Sequence, residues 1–280
     1  MPQRLAHRIF LWGVGLALLT ASGCEIAPTY PKARLASSLQ RLLAQEHLTA
    51  SVRLFEHTLS VQVAYPDALA LSGTGIGPAF DDAIRKTLPA IHRVLFSTDA
   101  EIRFYILLLS DPQAPGVYLT IVRYVDDVRR EQVNMLDTPE ILSRTIFDLQ
   151  YVGPSRSLSL EHDFPSDIQL EDFLSWQLAR RIQHALADTF PASSASAVQV
   201  GQCDGVFNRG EFAFTLNILP PEGATTLDES TMRRIFQTST SVIAKVLSSY
   251  KFQSFESVRL IHPLTGRNLV LPKSHLDVFR

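Results

Sequence analysis

Cysteine, histidine and paired carboxylates are the side chains with which this 280-residue chain could do chemistry. Three histidines directly follow a glutamate: Glu46-His47, Glu56-His57 and Glu161-His162. Neighbours in sequence point to opposite faces of a strand and about 100° apart on a helix, so adjacency alone assembles no metal site. His92, His184, His262 and His275 are scattered, and no pair has the two-histidine spacing of a helical zinc site. They read as solvated or capping side chains, and no metal or cofactor is expected. The acidic pairs Asp81-Asp82 and Glu171-Asp172 fall where helices start, complementing the positive end of the dipole. Asp126-Asp127 ends a strand and opens a turn. Gly73-Thr-Gly-Ile-Gly77 precedes a helix, but it lacks the dinucleotide fingerprint and the P-loop lysine, and Pro78 removes one amide that an anion would use. It reads as a flexible turn. No nucleophile-elbow spacing occurs, and no catalytic residue is assigned. Arg180-Arg181 and Arg233-Arg234 read as solvated helix faces. Cys203 lies in the turn-like Gly201–Gly205 stretch, either buried and inert, paired with another chain, or reactive.

The other cysteine has a more informative setting. Arg4 and Arg8 give a positive start, Ile9 to Thr20 is apolar, and Ala21-Ser22-Gly23 supplies small residues, the three parts of a secretory signal. A dozen apolar residues make a helix of roughly 18 Å, too short for a hydrocarbon core about 30 Å thick. Leu19-Thr20-Ala21-Ser22-Gly23-Cys24 resembles the lipobox of bacterial lipoproteins, with Ala21 where leucine is commonest. The resemblance covers residues 1–24 and implies cleavage before Cys24, a thioether-linked diacylglycerol on that thiol and usually acylation of the new amine. Glu25, where aspartate would retain such a protein at the inner membrane, implies the outer membrane, facing the periplasm. Two or more acyl chains give effectively permanent attachment. Residues 1–23 are thus read as signal peptide and 24–32 as a lipid-anchored tether stiffened by Pro28 and Pro31.

The remainder must build whatever positions these groups. It is 46% hydrophobic and 19% charged with a formal net charge of −2, which fits a folded chain and excludes a disordered one. Near-neutrality supplies no field for a nucleic-acid backbone, so no nucleic-acid partner is expected. Helical spacing of Leu35, Leu39, Leu42 and Leu43, alternation from Arg53 to Tyr65, a helix over 78–96 kinked at Pro89, and strands over 101–110 and 117–125 define a unit at 33–130. The same order returns at 168–280. There, a helix over 170–190 precedes a Ser/Ala linker and a strand through Phe212, Phe214, Leu216 and Ile218. A helix over 227–250, capped by Thr226 with Glu229, then leads to a hairpin over 257–271. Ile91–Leu95 matches Ile243–Leu247, Pro112 matches Pro263, and Gly116 matches Gly266, each roughly 150 positions apart. Residues 131–167 connect the units and carry a short helix over Thr138–Leu149. The expected fold is α+β, a tandem duplicated unit of helix, two strands, helix, two strands, with antiparallel sheets packed against helices. Because a helix cannot bury its stripe on one hairpin, the two units are expected to share a core or pack face to face. The leading functional expectation is a non-catalytic envelope adaptor or assembly component. It would meet protein partners through sheet edges or an inter-unit groove. The alternative is a carrier enclosing a small apolar or lipid ligand between the units, and a hydrolase ranks third.

Overall fold

The computed structural model describes residues 29–72, 75–153, 156–164, 166–191, 198–224 and 226–276. The signal segment, Cys24, Gly73-Thr74, the Ser/Ala linker and the last four residues lie outside them. Among the described residues, no helix is long and apolar enough to cross a membrane.

The fold is α+β. Helix α1 (Leu35–Gln45) leads into the hairpin β1 (Thr49–Phe55) and β2 (Thr58–Ala64). A two-residue ribbon, β3 (Leu71–Ser72) with β4 (Gly75–Ile76), precedes α2 (Pro78–Leu95), which runs through Pro89. Strands β5 (Phe104–Ser110) and β6 (Val117–Tyr124) follow. The second half repeats the order: α5 (Leu170–Thr189), β8 (Gln199–Asn208), β9 (Glu211–Leu219), α6 (Glu229–Ser249), β10 (Ser257–His262) and β11 (Arg267–Pro272). A final turn of helix, α7, spans Lys273–Leu276. Strand order repeats as well, β1-β2-β5-β6 in the first sheet and β8-β9-β10-β11 in the second. The outer pairs are antiparallel, but the middle pairs β2–β5 and β9–β10 are parallel. A crossover helix between them returns the chain to the same end of the sheet, which a wholly antiparallel reading did not allow for. The matched glycines Gly116 and Gly266 close equivalent turns at φ 84° and 65°, conformations that favour glycine.

The connector is more than a link. Helix α3 (Val125–Gln132) crosses the expected unit boundary, and α4 (Thr138–Arg144) stops five residues before the expected end at Leu149. The chain then turns into β7 (Ile146–Tyr151), which pairs antiparallel with β6 as a fifth strand. The alternation Ile146-Phe-Asp-Leu-Gln-Tyr151 outweighs continuation of the helix once β6 offers a free edge. The expected tether is partly docked: the Tyr30 amide donates to the Ser97 carbonyl at 3.0 Å, and the Lys32 amide to Asp99 at 2.6 Å. Helix α6 is capped by Asp228, which accepts from the Thr231 amide at 2.8 Å, rather than by Thr226.

Sequence periodicity follows from which faces are covered. The middle strands of the first sheet are buried on both sides: α1 and α2 pack on one, while α5 with Leu158, Leu160, Phe164 and Ile168 packs on the other. Strand β5 is accordingly the continuous apolar run Phe104–Leu109. The second sheet packs α5 and α6 on one face only, so β9 alternates, with Phe212, Phe214, Leu216 and Ile218 buried. Helix α5 serves both sheets. Phe173 meets Phe104 and Tyr124 of the first, while Leu178, Ile182 and Leu186 join the core of the second. Each such side chain contributes about 1.5–3 kcal/mol on burial.

The close approach of α5 to β8 requires Gly205, because a Cβ there would overlap the Ser175 carbonyl oxygen and the Phe214 ring. Gly205→Ala is expected to cost about 1–3 kcal/mol, as overpacking of a tight core does. Urea unfolding followed by circular dichroism checks this, and an unchanged midpoint would contradict the packing described.

Candidate functional site at the junction of the units

Three of the buried polar side chains, Asp127, Arg144 and Gln177, meet where the connector joins both units. Asp127, in the first turn of α3, is 3% exposed, and Arg144, at the end of α4, is 6% exposed. Asp127 was read as part of a turn; its position under α4 and α6 instead makes it the anion of a buried pair, Arg144 Nη1 to Oδ1 at 2.9 Å. Tyr250, just past α6, donates its hydroxyl to the other carboxylate oxygen at 2.8 Å and stacks under the Arg144 guanidinium at 4.5 Å. Burial and the neighbouring Asp127 charge push the Tyr250 phenol well above its ordinary value. Gln177 of α5 completes the knot, its Nε2 donating to the Arg144 carbonyl at 2.8 Å and to the Tyr250 oxygen at 2.9 Å. Its Oε1 is buried without a hydrogen-bond partner. Four residues from α3, α4, α5 and the end of α6 therefore fix how the halves sit together.

A groove of about 490 Å³ opens beside this knot, between the start of β7 and helices α5 and α6. Arg181, expected on a solvated face, is mostly buried there, because α4 packs over it. It donates to the Ser143 carbonyl at 2.9 Å and to its hydroxyl at 2.6 Å. Burial, partly offset by Glu140, pulls the Arg181 guanidinium below its ordinary value. His184 and Lys245 line the same groove, with Asp188 as its acid. Arg180 is tied to Asp148 of β7 at 2.5 Å.

A second cleft, about 600 Å³, separates the other face of the first sheet from α5 and β8. Ile106, Val122, Ile146, Phe164, Ile168 and Trp176 make it largely apolar. Cys203 sits here, on β8 rather than in a turn, because Phe212–Ile218 needs a partner strand and residues 199–208 supply it. Its thiol is 3% exposed, and burial pushes it up to about 11, so it is protonated at neutral pH. Among the described residues no histidine lines this cleft, and the Asp204 carboxylate beside the thiol opposes a thiolate rather than favouring one.

The remaining sequence candidates serve local structure. His57, Glu56 and Asp167 come within metal-ligand reach of one another. Both Asp167 oxygens are already engaged, one by the His57 amide at 3.1 Å and the Thr58 hydroxyl at 2.6 Å, the other by His57 Nδ1 at 3.1 Å. Burial pushes this carboxyl up, but the Thr58 and His57 bonds outweigh it and hold it below its ordinary value. The group is a clamp tying the connector to the β1–β2 turn. His262 is fully buried rather than solvated, with one nitrogen on Thr265 at 2.8 Å and the other on the Ile218 carbonyl at 2.9 Å. Asp82 pairs with Lys86 at 2.6 Å and accepts from Tyr65, Asp126 pairs with Arg129 at 2.7 Å, and Glu171 and Asp172 lie in the first turn of α5. Gly77 precedes α2 in extended conformation, with Pro78 at the first helical position. Sequence reasoning missed Arg144, Gln177 and Tyr250. Isolated polar residues on apolar helix faces were the available signal, and only packing pairs them.

No protein family, curated protein or solved structure matches this chain. Its function therefore has to be argued from its own geometry.

Breaking the knot from either side has different costs. Asp127→Ala leaves the buried Arg144 guanidinium with Glu140, 2.7 Å away, as its remaining ion-pair partner, an expected loss of about 2–3 kcal/mol for the charged hydrogen bonds removed. Tyr250→Phe removes hydrogen bonds but keeps the ring under the guanidinium, an expected loss of about 1–2 kcal/mol. Chemical denaturation of both variants checks the order, which a solvated or redundant pair would not produce.

Proposed function

We propose that the chain is an exported bacterial lipoprotein anchored through Cys24 at the outer membrane, facing the periplasm, and that its body is a non-catalytic adaptor. The observation that carries the adaptor reading is the unprotected edge of β7. Phe147, Leu149 and Tyr151 are 43%, 57% and 70% exposed on one face of this edge strand. Edge strands are normally blunted by charge, proline, bulges or cover. The other three edges have such devices: Arg53 on β1, a bulge between Val200 and Cys203 on β8, and Arg267 with Pro272 on β11. The single charge on β7, Asp148, is turned to the other face and held by Arg180. An apolar edge left open in this way is the usual means by which a sheet recruits a protein segment. Lipid at Cys24 would hold the body close to the membrane, because Tyr30, six residues further on, is docked on it.

Two measurements test the reading. The parent protein is expected in the membrane fraction with a doubly or triply acylated N-terminal peptide, and Cys24→Ser in the soluble fraction. A photo-crosslinking residue at position 149 is expected to capture a specific envelope protein. A serine variant that still sediments with membranes would remove the anchor, and an edge that captures nothing would remove the adaptor.

The apolar cleft between the units favours a second reading, a carrier for a small apolar or lipid ligand. Native mass spectrometry of the intact protein distinguishes it. A carrier retains a bound lipid that Ala179→Trp, which fills the cleft, expels; an adaptor shows the bare mass in both forms.

A further inference from the structure

The groove beside β7 defines the chemistry of what the edge receives, and this inference rests on the adaptor reading. The Val152 amide donates to the Gly116 carbonyl at 2.9 Å, one step beyond the Val117–Tyr151 pair. Antiparallel pairs alternate between bonded and non-bonded, so the even-numbered residues of β7 exchange hydrogen bonds with β6. The amides and carbonyls of Phe147, Leu149 and Tyr151 therefore face away from the sheet, and no described residue bonds them. The apolar side chains and the free backbone groups belong to the same three residues.

Where β7 begins, this edge runs into the groove floored by α5 and α6. Arg181 is already paired with Glu140 at 3.7 Å, so Lys245, which has no ion-pair partner among the described residues, is the cation left to meet an incoming acid, with Asp188 the acid of the same groove. The floor also holds Gln177, 1% exposed, with its carbonyl oxygen unpartnered. A buried acceptor lacking a donor calls for a group to satisfy it. A peptide N–H is such a donor, whereas a phosphate or a fatty carboxylate is not.

We propose that the groove between the β7 edge and helices α5 and α6 binds an extended, acidic segment of a partner protein, which adds to the first sheet as a sixth strand. Its backbone pairs with Phe147, Leu149 and Tyr151, and one peptide N–H reaches Gln177 Oε1. Its apolar side chains lie on the exposed face of β7, and an acidic side chain at the Ile146 end meets Lys245.

The test uses the full chain and two fluorescein-labelled synthetic nonapeptides. Both alternate valine and threonine; one ends in two glutamates and the other in two lysines. Fluorescence anisotropy is expected to show the glutamate peptide binding at least tenfold more tightly, a difference of about 1.4 kcal/mol. Lys245→Glu should erase that preference. Leu149→Pro removes only an outward N–H, so the strand should still pair with β6 while peptide affinity falls at least tenfold. Leu149→Lys, which keeps the N–H but charges the apolar face, guards against misfolding of the proline variant. Hydrogen exchange at residues 147, 149 and 151 should slow in the complex. Equal affinity for the two peptides, or no binding of either, overturns the proposal, as does retention on phosphatidylglycerol vesicles that Lys245→Glu abolishes while neither peptide binds. Concentration-dependent dimerisation abolished by Leu149→Pro overturns it in favour of a second copy. If crosslinking from position 149 still captures an envelope protein while the charge preference is absent, the adaptor reading stands and this inference alone falls.

Discussion

Burial of helix α5 between two sheets is the contact on which the rest of the molecule depends. A two-layer unit needs one apolar stripe per helix; α5 carries more than a stripe because Phe173 faces the first sheet while Leu178, Ile182 and Leu186 face the second. Removing one half would leave β5 with an exposed apolar face, which explains why its sequence is an unbroken hydrophobic run rather than an alternation. Hydrophobic contact of this kind is strong but non-directional. It brings the halves together without fixing their mutual orientation.

Direction comes from the polar knot. Asp127, Arg144, Gln177 and Tyr250 satisfy one another only in a single arrangement of α3, α4, α5 and the end of α6. Any other arrangement would strand a charge away from water, at a cost of several kcal/mol. The ion pair therefore acts less as a source of stability than as a selector among packings of similar apolar area. The same arrangement has a consequence at the surface. Holding α4 against α5 aims the chain at β6, so residues 146–151 become an edge strand instead of a continued helix. The edge, the groove beside it and the unpartnered Gln177 oxygen are thus by-products of one junction, which gives a surface built jointly by both halves.

Several of the acids and histidines most suggestive of catalysis in the sequence, Asp82, Asp126, His57 and His262 among them, are absorbed into ion pairs and clamps. Asp167 is spent on the β1–β2 turn, His262 on the β9–β10 junction and Asp228 on the start of α6. Cys203 is sealed under α5 with its amide held by Gln183.

Periodicity in the sequence determined the α+β class, the recurring helix-strand order and the faces of α1, α2, β9 and α5, because burial of a face leaves a repeat of 3.6 or 2 that local residues suffice to reveal. Pairing was not legible. The parallel middle of each sheet, the strand at β8 with its two glycines, the switch from helix to strand after Arg144, and the meeting of Asp127 with Arg144 and Tyr250 all join residues far apart in the chain. Hydrogen bonds and ion pairs leave no periodic trace at either partner, so only the folded arrangement of both sheets decided them.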